Sequence, residues 1–233
     1  MKLLGLICPC EEEWAPYERY FKEKSRHLRA GIEFLEGELA DQPVVAVVSG
    51  VCKVNAAIAA QILVNVYQVE GIINSGTAGG MASQVKLLET VVSTDICYHD
   101  VNLLNLVKLH PFMDSDKPYF QVDGRMLQAA RKVAASGTFL QKIHFGRMAT
   151  GEQFIVDKER PAINDTFEPL CADMETGAIA HVCYVNQVPF MAVRSITDTE
   201  EHNGLANFEA NFAEAASRSA NFVVGLVAEL QEG

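Results

Sequence analysis

Four places in the sequence set reactive side chains at the ends of short apolar runs. Glu11, Glu12 and Glu13 follow "KLLGLIC" (2–8), and "NSGTAGG" (74–80) continues a run that begins at Gly71. Asp173, Met174 and Glu175 separate "EPLCA" from the helical spacing of "TGAIAHVC", and "VPFMAVRSITD" ends in Arg194, Thr197 and Asp198. Carboxylates in such places suit proton transfer, and glycines let backbone N–H groups come close to a ligand. Open α/β sheets bind their ligands at the carboxyl ends of strands, which is where all four lie. Each also has a plainer reading. Adjacent acids commonly form a solvated helix start, a carboxylate at a helix N-terminus is favoured there by ~0.3–1 kcal/mol, and an Asp after a strand is commonly a turn residue. The glycine segment fits neither the P-loop nor the dinucleotide fingerprint.

The elements that must position these groups alternate between strand and helix. "EEEWAPYERYFKE" (11–23) opens with acids and takes Pro16 in its early turns, as a helix start does. "IEFLEGEL" (32–39) alternates, and "PVVAVVS" (43–49) reads as a buried strand. "KVNAAIAAQILVNVYQ" (53–68) is helical and apolar on nearly every side, so it is deeply buried or lies at a subunit interface. Strands follow at 71–75, ending in a glycine turn, and at 89–96. After a looser stretch around "HPFMDSDKPYF" come a helix over 124–135 and strands near 141–149, 169–173 and 189–196. A last helix lines up Phe208, Phe212, Ala216, Phe222, Leu226 and Leu230. The alternation predicts one three-layer α/β domain over residues 1–233, built on a central twisted sheet.

The charge balance excludes several classes of partner. Lys plus Arg total 19 against 30 Asp plus Glu, a formal charge of −11. Nucleic acids and anionic membranes need a positive face. No apolar run approaches membrane-spanning length, and the start turns acidic too soon for a signal peptide. The six cysteines, mostly in apolar patterns, suit reduced thiols in a cytoplasmic protein. Cys8 and Cys10 lack a second Cys/His cluster at zinc spacing, so no metal is expected.

Taken in order, "EEE", "SGVCKVNAA", "NSGTAGG", "VVSTDICYHD", "DMETGAIAHVC" and "VPFMAVRSITD" resemble the methylthioadenosine/S-adenosylhomocysteine nucleosidase family of the purine nucleoside phosphorylase superfamily. The resemblance runs from residue 1 to about 230, and its most specific part is "METGAIAHVC" followed by "VRSITD". It implies a nucleoside phosphorylase/hydrolase-like α/β/α fold with a mixed sheet. It also implies hydrolysis of an adenine N-glycosidic bond without a cofactor, the partners being an adenine nucleoside and water. Asp198 matches the general acid that protonates purine N7, Glu13 the acid that holds and deprotonates the attacking water, and Glu175 the acid that grips the ribose hydroxyls. Met174 would pack beneath the sugar. Phe154 would stack on the base while the Ile155 backbone reads its edge. Thr77 and Arg194 correspond to positions around the water and the ribose-binding acid. Cys10, Val51 and Phe208 would line an apolar 5′ pocket, and Asp173 is left as structural.

Three positions depart from the family pattern. Cys10 stands where Met is usual, Cys52 where Gly is usual in "SGxGK", and Leu106 where an aromatic residue is often lent to the neighbouring subunit's 5′ pocket. The chemistry is kept, and the preference for the 5′ substituent is left open. The alternatives are an aminofutalosine or futalosine hydrolase, a related phosphorylase, and a catalytically silent nucleoside binder. A homodimer is expected, through the helix 53–68.

Overall fold

The computed structural model describes residues 1–101, 119–156, 158–202 and 204–232. Leu106, and most of the stretch around 110–120, lie outside the described residues. The first strand, β1 (Leu4–Cys8), is buried at every position and lies between β4 (Gln42–Val48) and β5 (Gly71–Gly80), parallel to both. Beyond β4, the strands β3 (Ile32–Leu39) and β2 (Phe21–Arg29) extend the sheet in antiparallel fashion. On the other side, β10 (Phe190–Asp198) runs parallel to β5, and β6 (Thr90–Tyr98) pairs antiparallel with β10. β8 (Ile143–Thr150) and β9 (Cys171–Asp173) follow, and β9 returns to pair with β5. β7 (Phe120–Gln121) adds a short edge to β6. Strands β5, β10, β6, β8 and β9 therefore close into a ring, from which β1, β4, β3 and β2 fan out.

The expected mixed sheet is covered on both faces. One core joins the sheet to α2 (Lys53–Asn65) and α5 (Thr176–Asn186) through Ala56, Ala59, Ala60, Leu63, Ala178, Ile179 and Cys183. The other joins it to α3 (Gly124–Ala135) and α6 (Leu205–Glu232) through Met126, Ala130, Phe222, Val223 and Leu226, with Trp14 of α1 (Glu11–Trp14). A smaller cluster of Met81, Cys97, Ala149, Ala172, Ile163 and Phe167 seats α4 (Arg160–Phe167). Among the described residues no helix is long and apolar enough to cross a membrane.

Two local expectations are corrected. The helix expected over 11–23 stops at Trp14, passes through a 3-10 turn, Ala15–Tyr17, and gives way to β2. Pairing with β3 overrides the acidic helix start, a case of tertiary context outweighing propensity. The hairpin turns on Ala30 and Gly31, both at positive φ (51° and 77°), and carries ion pairs such as Arg26–Glu33 (3.1 Å) across an exposed, charged edge. The second correction is at "NSGTAGG", which is not a turn but the second half of β5. Its glycines have no positive φ. They serve close packing instead: a Cβ on Gly76 would lie 2.5 Å from both Arg194 Nη1 and Glu13 Oε1.

Candidate active site

The carboxyl ends of β1, β5, β9 and β10 open on one cleft. Cys10, Glu13, Val51, Thr77, Phe154, Ile155, Met174, Glu175, Arg194, Asp198 and Phe208 all line it. Of the residues expected at the site, Leu106 is the exception, being outside the described residues.

Within the acidic triplet the helical turn separates the three side chains. Glu11 and Glu12 face solvent, while Glu13 is 4% exposed. Glu13 Oε1 accepts from the Thr77 backbone N–H (2.6 Å) and hydroxyl (3.0 Å), and Arg194 Nη1 lies 3.8 Å away. Its Oε2 accepts the Cys10 thiol at 3.4 Å. Burial pushes the Glu13 carboxyl above the usual carboxylate range, against the pull of Arg194 and Thr77. A carboxylate so held is a stronger base than one in water.

The helix-cap reading of Glu175 does not fit where its oxygens go. It occupies the N-cap position of α5, yet its side chain makes no cap hydrogen bond. Asp173 takes that part, its Oδ1 accepting from the Thr176 N–H at 3.2 Å and from the Thr150 hydroxyl at 2.6 Å. Glu175 instead accepts from Arg194 Nη2 at Oε2 (3.1 Å) and from the Cys52 backbone N–H at Oε1 (2.9 Å). Cys52 reaches this position with φ 80° and ψ 163°, a conformation that favours glycine and costs ~1–3 kcal/mol for other residues. Burial raises the Glu175 pKa to about 7, Arg194 opposing and Asp173 adding to the rise.

Arg194 binds these acids into one network. Besides Glu175 it meets Asp173 Oδ2 at 2.9 Å and Asn74 Oδ1 at 2.8 Å. It is 1% exposed, and Asp173, Glu175 and Glu13 together keep its charge. Asn74 is itself buried and donates to the Ile7 carbonyl at 3.1 Å.

Asp198 is the last residue of β10, opposite Gly79 of β5. Its Oδ1 accepts the Thr197 hydroxyl at 2.9 Å, and burial raises its pKa above the ordinary value. A buried carboxyl of raised pKa is placed to deliver a proton. Apolar walls flank it. Phe154 meets Phe208 edge-on with ring centroids 5.8 Å apart, and Phe208 leans on Phe212 at 4.7 Å.

Sequence reasoning missed Arg160, which lines the same cleft. It follows Lys158 and Glu159, a charged run that reads as surface, and no motif marks it. The structure buries it to 1% exposure at the start of α4, because Ile163 and Phe167 pin that helix into its own small core. Phe212 was visible in the helical stripe, but only the cleft gives it a place beside Phe208.

The chain is similar over nearly its whole length to known proteins. Residues 3–228 match the model of the phosphorylase superfamily. A 5′-methylthioadenosine/S-adenosylhomocysteine nucleosidase of Bacillus thuringiensis subsp. konkukian is 33% identical over 230 residues, 98% of this chain and 99% of that one. A solved 5′-methylthioadenosine/S-adenosylhomocysteine nucleosidase of Colwellia psychrerythraea in complex with adenine superposes with a TM-score of 0.89 at 30% identity, covering 98% of this chain and 96% of that one. A futalosine hydrolase of Helicobacter pylori has a TM-score of 0.87 at 25% identity, with 98% of each chain covered.

Proposed function

The chain belongs to the phosphorylase superfamily and, within it, to the 5′-methylthioadenosine/S-adenosylhomocysteine nucleosidase family, and from that premise we propose that it hydrolyses the N-glycosidic bond of these adenine nucleosides. The observation that carries the reading is the meeting of three buried carboxyls, Glu13, Glu175 and Asp198, around one cleft whose aromatic wall can hold a base.

In the proposed reaction Asp198 gives its proton to N7, so the purine leaves with the C1′–N9 electron pair as neutral adenine. Positive charge then grows on the sugar, and the flanking carboxylates stabilise it electrostatically. Glu13 has its Oε1 committed to Thr77. Its Oε2 orients a water and takes the water's proton as the oxygen bonds to C1′. Glu175, fixed by Arg194 and Cys52, accepts from the ribose hydroxyls. Met174 supports the sugar, Phe154 and Ile155 hold the base, and Cys10, Val51 and Phe208 form an apolar pocket for an alkylthio group.

Water rather than phosphate is the proposed nucleophile. Arg194 is the cation nearest Glu13, and its charge is already shared among Glu13, Asp173 and Glu175. Uncharged Asn74 supports the same reading. A phosphate dianion would enter a cleft where Glu13, Asp173, Glu175 and Asp198 outnumber Arg160 and Arg194, in surroundings that screen charge poorly. Incubation with methylthioadenosine should therefore release free adenine and a reducing thioribose at a rate indifferent to added phosphate. A ribose 1-phosphate product would overturn both the hydrolase reading and the role of Glu13. Including aminofutalosine in the same assay separates the second hydrolase reading, to which the fold similarity of the Helicobacter pylori enzyme lends support.

We also propose a homodimer. Val54 (70% exposed), Ile58 and Val66 at or beside α2, and Tyr184 and Val185 of α5, leave apolar surface uncovered on the single chain. A cytoplasmic setting agrees with six cysteines that form no disulfide among the described residues.

A further inference from the structure

Arg160 is the buried charge that the reaction as described does not use. Its Nη1 donates to the Gly80 carbonyl and lies 3.4 Å from Met81 Sδ. Its Nε and Nη2 have no hydrogen-bond partner among the described residues. Leaving charged N–H groups unpaired in a protein interior is costly, so such groups are worth explaining. Nη2 lies 3.6 Å from Asp198 Oδ2, too far for a hydrogen bond and close enough for an ion pair. The other oxygen, Oδ1, already accepts from Thr197. An unpaired cationic donor therefore faces the oxygen of Asp198 that Thr197 leaves free.

We infer that Arg160 is a positioning residue for the general acid: a fixed counter-charge that receives the Asp198 carboxylate as its proton passes to the purine. The inference rests on the proposed hydrolysis. While Asp198 is protonated, the guanidinium has only a neutral carboxyl before it. Once the proton reaches N7, Asp198 becomes an anion in a dry site. A movement of just under an ångström then closes a charge-assisted hydrogen bond to Nη2. The stabilisation grows along the reaction coordinate, which is what lowers a barrier, whereas equal binding of both states would not. The rigid seat of α4 and the bond to Gly80 keep the charge in place before the reaction, so little reorganisation is needed.

Other charged groups around the cleft do not substitute for it. Glu13, Asp173, Glu175 and Arg194 line the same space, but Arg194 is paired to those acids. Burial raises the Asp198 pKa, while the Thr197 hydroxyl and the Arg160 charge lower it. Removing Arg160 makes Asp198 hold its proton to higher pH and give it up less readily.

The test compares Arg160→Met with wild type on two substrates. Methylthioadenosine needs a protonated leaving group. A 4-nitrophenyl 5-methylthioriboside does not, because nitrophenolate departs as an anion. The expected result is a kcat lower by about tenfold to a hundredfold on methylthioadenosine. The descending alkaline limb of kcat/KM should move to higher pH, and the aryl riboside should be cleaved within about threefold of the wild-type rate, since its departure draws little on the general acid. Equal losses on both substrates with an unmoved alkaline limb would assign Arg160 to the fold alone and overturn the inference. If Arg160→Met fails to fold, Arg160→Lys keeps a cation and should show the same split between substrates at smaller size. Unfolding of both variants would likewise give Arg160 a purely structural role. A wild-type protein that releases no adenine refutes the proposed function itself, an outcome distinct from any result on the variants.

Discussion

Thr77 donates twice to one oxygen of Glu13, from its backbone N–H at 2.6 Å and from its hydroxyl at 3.0 Å. This bidentate hold is possible because the preceding residue of β5 is Gly76, which leaves room for the Glu13 carboxylate and the Arg194 guanidinium. With Oε1 saturated, Oε2 is the oxygen free to turn toward a substrate water. The Cys10 thiol, a weak donor, is its only protein partner among the described hydrogen bonds.

Gly76→Ala should therefore separate activity from stability. The added methyl would lie 2.5 Å from both charged groups. Overpacking of this kind costs ~1–3 kcal/mol, which a domain of this size can survive. The displaced Glu13 should lower kcat by more than about tenfold, since a misoriented base forfeits much of its contribution. Thermal unfolding and turnover on the same preparation check this. Full activity in a folded variant would show that the fixed Oε1 is not needed.

Asp198→Asn should abolish turnover while leaving the fold and nucleoside affinity largely in place. The amide can hydrogen-bond the purine but cannot protonate it, and such an acid supplies about 10²-fold or more in rate. Adenine release measured beside calorimetric binding of adenine makes the comparison. Retention of more than about a tenth of the wild-type rate would contradict the assignment.

Glu175→Gln should remove activity and flatten the dependence of stability on pH. Burial lifts the Glu175 carboxyl from 4.5 to about 7 in the folded chain. The folded state therefore binds its proton more tightly than the unfolded state. That contribution to stability is full below 4.5 and is lost as the pH rises through about 7. The side-chain amide of the variant has no such proton to lose, whereas Glu13 and Asp198 titrate in both proteins. Melting temperatures across this window should fall more steeply for wild type than for the variant. Parallel curves would mean that Glu175 is ionised throughout.

Ile58→Glu, with or without Val54→Glu, should convert a dimer to a monomer by light scattering at micromolar concentration. Both side chains are exposed on the single chain, so the change costs the protomer little, and a charge opposite its own symmetry mate disfavours association. A wild-type monomer with full activity would remove the proposed assembly.

Local pattern carries much of this protein. The alternation of buried strands with helices is written in apolar spacing, so the sheet, its two helical layers and the strand ends bearing Glu13, Glu175 and Asp198 can be read from the sequence alone. Such spacing reports what one segment does with its own neighbours. It does not report pairing partners, which is why the first residues of β2 read as a continuation of α1, and why β5 read as ending where its glycines begin. Nor does it report burial. Glu11, Glu12 and Glu13 are one chemical type in a row, and only packing against Thr77 and Arg194, 64 or more positions away, makes the third different from the first two. Arg160 is the extreme case: a charged residue in a charged run, drawn inside because Ile163 and Phe167 anchor its helix. The sequence determined which groups stand at the ends of strands. The tertiary structure decided which of them lose water and which opposite charge each one meets, because desolvation and Coulomb energy depend on distance in space and not along the chain.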